Sequence, residues 1–142
     1  MRIGTIANKA GVGVETIRFY ERKTLIAQPP KPAGGGFRDY PAETVERIWF
    51  IRQAQSLGFS LDEIDELLSL RADPSTDCAD VRERARAKLG EVNAKIARLT
   101  AIRSAIEELI DACPGKGAAR LCTILEAFET KEPNDHAKEL NQ

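Results

Sequence analysis

From Cys78 to about Ile110 the chain has no proline and one glycine, Gly90. Its apolar residues Leu89, Val92, Ile96, Leu99, Ile106 and Ile110 recur at steps of three and four, with Arg103 as the single break. That spacing draws a narrow apolar stripe along one continuous helix and leaves charge on the remaining surface. At 1.5 Å per residue such a helix runs roughly 50 Å, too far for a domain of the preceding residues to cover. The stripe therefore predicts a partner, and a second copy of the chain is the simplest one. A fold-back onto the N-terminal part is the competing arrangement.

The three cysteines bear on how the copies pair. Cys78 opens the long segment, Cys113 closes it, and Cys122 follows across a short loop. Cys78 and Cys113 cannot meet within one straight helix. If two copies pair antiparallel, Cys78 of one lies beside Cys113 and Cys122 of the other, and three sulfurs converge twice per dimer. A three-thiolate set favours soft and borderline ions such as Hg, Cu(I), Cd, Pb and Zn over Mg or Ca. Burial of the cysteines as small hydrophobic residues is the alternative.

No run of about 18 apolar residues occurs, so no membrane span is expected. The opening residues Met1-Arg2-Ile3-Gly4-Thr5 lack the apolar stretch of a secretory leader, and a cytoplasmic protein with reduced thiols is expected. An odd cysteine count in that setting points to metal or redox chemistry rather than a disulfide frame. Catalysis is not expected. The sole histidine, His136, falls in a polar tail, and neither a nucleophile-base pair nor a phosphate-cradling glycine loop is present.

The net charge of −1 hides a division. Residues 1–52 hold nine Lys/Arg against five Asp/Glu, a net of +4, so the remainder carries −5. Nucleic-acid contact confined to the first third would account for the division, and chance scatter of surface charge is the alternative.

Thr5 to Ala10 reads as a short helix capped near Thr5 and stopped by Gly11, and a second helix starts near Gly13. Two short helices around a glycine turn form a helix-turn-helix pattern. On the second helix Val14, Ile17 and Glu21 share one arc, while Glu15, Arg18, Phe19 and Arg22 share the opposite one. Thr16 and Tyr20 flank that outer arc with hydroxyls suited to phosphate, and arginine can grip phosphate or a guanine edge. Residues 28–36 are rich in proline and glycine, and Phe37-Arg38-Asp39-Tyr40 alternates like a short strand. A glycine-tipped wing carrying Lys31, Arg38 and Tyr40 beside the helix-turn-helix is expected. A third helix follows from Ala42 to about Leu57, and Ser60-Leu61-Asp62-Glu63 is a capping box opening a fourth, through Leu70. A terminal short helix from Leu121 to Phe128 should contain Cys122, and residues from Thr130 onward should fray.

Over nearly its whole length the chain resembles the MerR family of transcriptional regulators. The resemblance is carried by Ile3-Gly4, Ala7 through Gly11-Val12, the run Glu15-Thr16-Ile17-Arg18-Phe19-Tyr20-Glu21-Arg22, Arg38, Tyr40, and Leu57-Gly58-Phe59-Ser60-Leu61-Asp62-Glu63-Ile64. The spacing of Cys78, Cys113 and Cys122 is similar to that of the mercury-responsive branch. The resemblance implies a mainly α fold: a winged helix-turn-helix domain over residues 1–70, a hinge at 71–77 and an antiparallel coiled-coil dimerisation helix at 78–111. A metal-binding loop with a short helix at 112–130 and a flexible tail at 131–142 complete it.

It further implies a homodimer on double-stranded promoter DNA, with direct contacts from Thr16, Arg18, Tyr20, Arg38 and Tyr40. Hg²⁺ would be held by the three cysteines shared between subunits, with Pb²⁺ and Cd²⁺ as alternatives. The metal-free dimer represses. Metal binding reshapes it so that the DNA untwists, and RNA polymerase is engaged indirectly through that distortion. A thiol redox sensor closing Cys113 onto Cys122 is the alternative from another class. Two departures from the family stand out: Thr24 occupies a place where members often carry glycine, so the helix exit there either pays a small positive-φ penalty or uses a different turn, and Thr123 stands where many mercury sensors have proline.

Overall fold

The computed structural model of the chain describes residues 1–130; His136 and the rest of the tail lie outside the described residues. Among the described residues there are six α-helices and one 3-10 turn: α1 Ile3–Ala10, α2 Val14–Arg22, α3 Glu43–Ser56, α4 Leu61–Ala72, α5 Cys78–Ala112, the 3-10 turn Ala119–Leu121 and α6 Thr123–Phe128. Two compact units are present, Met1–Ala85 and Arg86 onward.

The first unit is built around a core of aliphatic and tyrosine side chains. Ile6, Ala7 and Ala10 of α1 meet Ile17 and Tyr20 of α2, Val45, Ile48 and Ile51 of α3, and Ile64 and Leu68 of α4. Leu25, Ile26 and Tyr40 fill the space beside them. α1 packs on α2 and α3, and α3 packs on α4. Small Ala7 and Ala10 let α1 approach closely, which fixes the corner that presents α2.

Local signals set the helix ends. Gly11 takes φ +75° at the end of α1, and the backbone there returns hydrogen bonds to Ala7 and Asn8; a side chain would resist that conformation. α1 begins two residues earlier than expected. Arg2 caps it through its backbone, its carbonyl accepting from Thr5 and Ile6, so Thr5 lies inside the first turn and caps nothing. α4 opens on the expected capping box: the Glu63 amide donates to the Ser60 hydroxyl at 3.2 Å, and the Ser60 amide donates to the Glu63 carboxylate at 2.8 Å. α4 runs on to Ala72, which shortens the hinge to residues 73–77. Arg84 in the second turn of α5 pairs with Glu66 of α4.

The expected wing strand does not form among the described residues. Residues 37–40 are irregular, and Tyr40 instead pairs with Met1: its amide donates to the Met1 carbonyl at 2.7 Å, and the Met1 ammonium donates to the Tyr40 carbonyl at 2.8 Å. The backbone partner is thus Met1 and not a second wing strand, so no hairpin ladder is built. Arg38 Nη1 donates to the Pro29 carbonyl at 2.6 Å and closes the loop at its base.

Thr24 adopts φ +59° after α2. A left-handed β-branched residue is strained by roughly 1–2 kcal/mol. Replacing it with glycine, Thr24→Gly, should raise the unfolding free energy by about 1 kcal/mol, whereas Ser60→Ala should lower it by about 1 kcal/mol through loss of the cap. Urea denaturation of the two variants checks the pair of opposite signs.

Candidate nucleic-acid interface and metal centre

α2 turns two faces in different directions. Ile17 and Tyr20 are buried, while Arg18 and Arg22 are exposed and Thr16 and Phe19 are half-buried. Arg18 is held by Glu15, whose carboxylate accepts from Arg18 Nη1 at 2.9 Å, with both side chains mostly in water. Exposure of that kind makes the ion pair weak and the guanidinium easy to recruit elsewhere. Arg22 and Lys23 stand over the Phe19 ring at 5.9 and 5.8 Å. The ring thus gathers cations on the outer face.

Two residues differ from their expected place. Tyr20 is 2% exposed and Tyr40 is 3% exposed. Tyr20 donates to Gln55 of α3 at 2.8 Å, and Tyr40 donates to the Glu21 carboxylate at 3.2 Å. Buried phenols need such partners, and once engaged they do not present free hydroxyls to phosphate. Both tyrosines therefore hold α2 against its neighbours, while Arg18 and Arg22 are exposed and Thr16, Phe19 and Arg38 are half-buried. Sequence reasoning missed Glu21 and Gln55 as partners. The one available signal was Glu21 on the arc shared with Val14 and Ile17, where an unpaired carboxylate is out of place.

The thiols separate into a pair and a single. Cys113 follows the last residue of α5, and Cys122 caps α6 across a loop containing Gly115 and Gly117, both at positive φ. Those turns bring the two sulfurs to 3.9 Å. The Gly115 amide donates to Cys113 Sγ at 3.4 Å. The amides of Leu125 and then Ile124 hold the Cys122 thiol below its ordinary pKa, and Cys113 adds to the effect. Cys122 lies outside the terminal helix that was expected to contain it, and the helix start it caps is what favours its thiolate.

Cys78 is exposed at the first residue of α5, so it and Cys113 stand at opposite ends of one 35-residue helix. Among the described residues no third Cys, His, Asp or Glu joins the pair to complete a metal-binding group. Two sulfurs at this separation can be bridged by one thiophilic ion, and the donor set lacks the oxygen ligands that Mg²⁺ or Ca²⁺ requires.

Residues 1–70 match the model of the MerR HTH family regulatory proteins, and residues 45–109 match that of MerR, DNA binding. The mercuric resistance operon regulatory protein of Serratia marcescens is 42% identical over 134 residues, covering 94% of this chain and 91% of that protein. Among solved structures, the transcription regulator PbrR691 from Ralstonia metallidurans CH34 in complex with lead(II) superposes with a TM-score of 0.81 at 34% identity, over 90% of this chain and 98% of that one. MerR from Bacillus megaterium MB1 in complex with mercury(II) gives 0.70 at 36% identity, over 92% and 100%.

The lowered thiol pKa has a direct consequence. In the folded chain the pH midpoint for iodoacetamide labelling of Cys122 should fall below the ordinary thiol value of about 8.5 and return to it in urea. Because the folded pKa is the lower one, the excess thiolate is present between the two midpoints and vanishes as pH falls through the folded one. Mass spectrometry of the Cys122 peptide reads the shift. By its helix-turn-helix corner, its long α5 and its likeness to these relatives along almost the full chain, the protein belongs to the MerR family of transcriptional regulators, which are not enzymes.

Proposed function

We propose that this protein is a regulator responsive to a thiophilic metal, acting as an antiparallel homodimer on promoter DNA and switching from repression to activation when mercuric ion binds. The observation that carries the reading is the Cys113–Cys122 pair, two sulfurs at 3.9 Å with no third ligand in the same chain among the described residues. A third sulfur is available from Cys78, exposed at the opposite end of α5. Head-to-tail pairing of α5 with a second copy would supply it.

The stripe on α5 supports that pairing. Leu89, Ile96, Leu99, Ile106 and Ile110 are each at least half exposed in the single chain, and Val92 is 38% exposed. Covering them yields on the order of 1 kcal/mol for each half-exposed aliphatic side chain. The relatives supply the metal class, one regulating mercuric resistance, one solved with lead(II) and one with mercury(II). Mercury is the ion proposed, and lead and cadmium are the alternatives with the same affinity for sulfur.

Bound metal would contribute cross-linking of three thiolates across the subunit interface. This chain's residues do the rest. Cys122 offers sulfur already biased toward thiolate, Gly115 steadies Cys113, and α5 carries the constraint toward α4 through the Arg84–Glu66 pair. Thr16, Arg18, Arg22 and Arg38 grip the DNA, with Phe19 organising cations beside them. A change in dimer shape would then be transmitted as DNA distortion, with RNA polymerase responding to the realigned promoter.

The short sulfur separation also favours a second reading, a thiol redox sensor. Peroxide would oxidise one thiol to a sulfenic acid with release of water, and the other would displace a second water to form the Cys113–Cys122 disulfide.

A promoter footprint with mercury, cadmium or lead separates these readings. Mercury should alter the footprint of the reduced protein, and Cys78→Ala should abolish the alteration while leaving metal-free binding intact. A footprint that responds to peroxide and ignores all three metals would replace the metal reading with the redox one.

A further inference from the structure

A cleft of about 250 Å³ separates α2 from the loop that ends at Tyr40, with Arg18, Lys31 and Arg38 along its walls. Three cations facing one recess suit a DNA phosphate. Glu21 lines the same recess. A carboxylate there repels the anion the cations attract, so its presence calls for a separate reason.

The contacts supply it. Both Glu21 carboxylate oxygens lie 3.2 Å from the Tyr40 hydroxyl, and among the described residues no ion pair engages Glu21. Tyr40 is buried and lies two residues after Arg38, whose guanidinium is itself tied to the Pro29 carbonyl. Fastening Tyr40 therefore fixes the loop that carries Arg38 and Lys31 relative to the helix that carries Arg18. Burial first, and then the nearby Glu21 charge, keep the Tyr40 phenol above its ordinary pKa, so it remains a donor at physiological pH.

We infer that Glu21 is a positioning residue for DNA binding, whose carboxylate latches the Tyr40 hydroxyl and so sets the loop cations opposite Arg18. The inference rests on the reading of this face as the DNA-binding one. It separates two properties of a single side chain: the acceptor oxygen aids binding by holding the loop, while the negative charge opposes binding by repelling phosphate.

Glutamine keeps the acceptor and removes the charge. The test uses the full chain and a DNA duplex selected from a random-sequence library on the unaltered protein, at one fixed salt concentration. Tyr40→Phe should weaken binding about tenfold, the loss expected for a hydrogen bond to a charged group, and Glu21→Ala should weaken it less, because it removes the repelling charge together with the latch. The double variant should be no more than about twofold weaker than either single one, since both remove the same contact. Glu21→Gln should bind as tightly as the unaltered chain or several-fold tighter. Melting temperatures of all variants are recorded, and Tyr40→Phe and Glu21→Gln carry the test if Glu21→Ala fails to fold.

The inference is overturned if Glu21→Ala and Tyr40→Phe bind like the unaltered chain, if their effects add in the double variant, or if Glu21→Gln is as weak as Tyr40→Phe. Failure of the unaltered chain to select any duplex would instead remove the DNA-binding reading on which the inference stands.

Discussion

A row of aliphatic side chains along a helix must be taken out of water, and in this protein everything downstream depends on what covers that row on α5. The row runs from Leu89 to Ile110, and most of its members are half or more exposed in the single chain. Since α5 is one helix from Cys78 to Ala112, any partner that covers it along its length also reaches both ends. One end carries a lone thiol and the other leads into a pair of thiols. In the proposed antiparallel pairing, the hydrophobic requirement and the sulfur chemistry would be met by the same contact.

The outer face of α2 follows a different logic. Arg18 and Arg22 are exposed and Arg18 is only weakly held by Glu15, while the tyrosines that orient their helix are buried. Tyr20 bonds to Gln55 and Tyr40 to Glu21, each a hydrogen bond inside the first unit that orients an element and touches no ligand. α2 is thereby clamped on one side to α3 and on the other to the loop that follows it.

Most of the fold was legible in the residues because its signals are local. Gly11 and the Ser60–Glu63 box each state a helix end within four residues, and the three-four spacing of α5 states its exposed stripe. The start of α1 was not legible, because a backbone cap at Arg2 leaves no mark in the side chains. The wing strand failed for a related reason, since Tyr40 finds its backbone partner at Met1. The tyrosines were misplaced because their acceptors are distant in sequence: Gln55 lies 35 residues from Tyr20, and Glu21 lies 19 residues from Tyr40. At the thiols, spacing foretold the pairing of Cys113 with Cys122, but the break between the 3-10 turn and α6, which makes Cys122 a helix cap, had no clear sequence mark.

In the proposed dimer each metal is held by Cys78 of one chain and by Cys113 and Cys122 of the other. Mixing chains tests it most directly. One chain carries Cys78→Ala and the other carries Cys113→Ala with Cys122→Ala, so neither alone can assemble three sulfurs. After unfolding and refolding together, the mixed dimer holds one complete set, and mercuric ion should restore the ultraviolet thiolate-to-mercury absorption of a three-sulfur site at one ion per mixed dimer. If the mixture binds no better than the two chains apart, the shared site, and the antiparallel dimer that requires it, are contradicted.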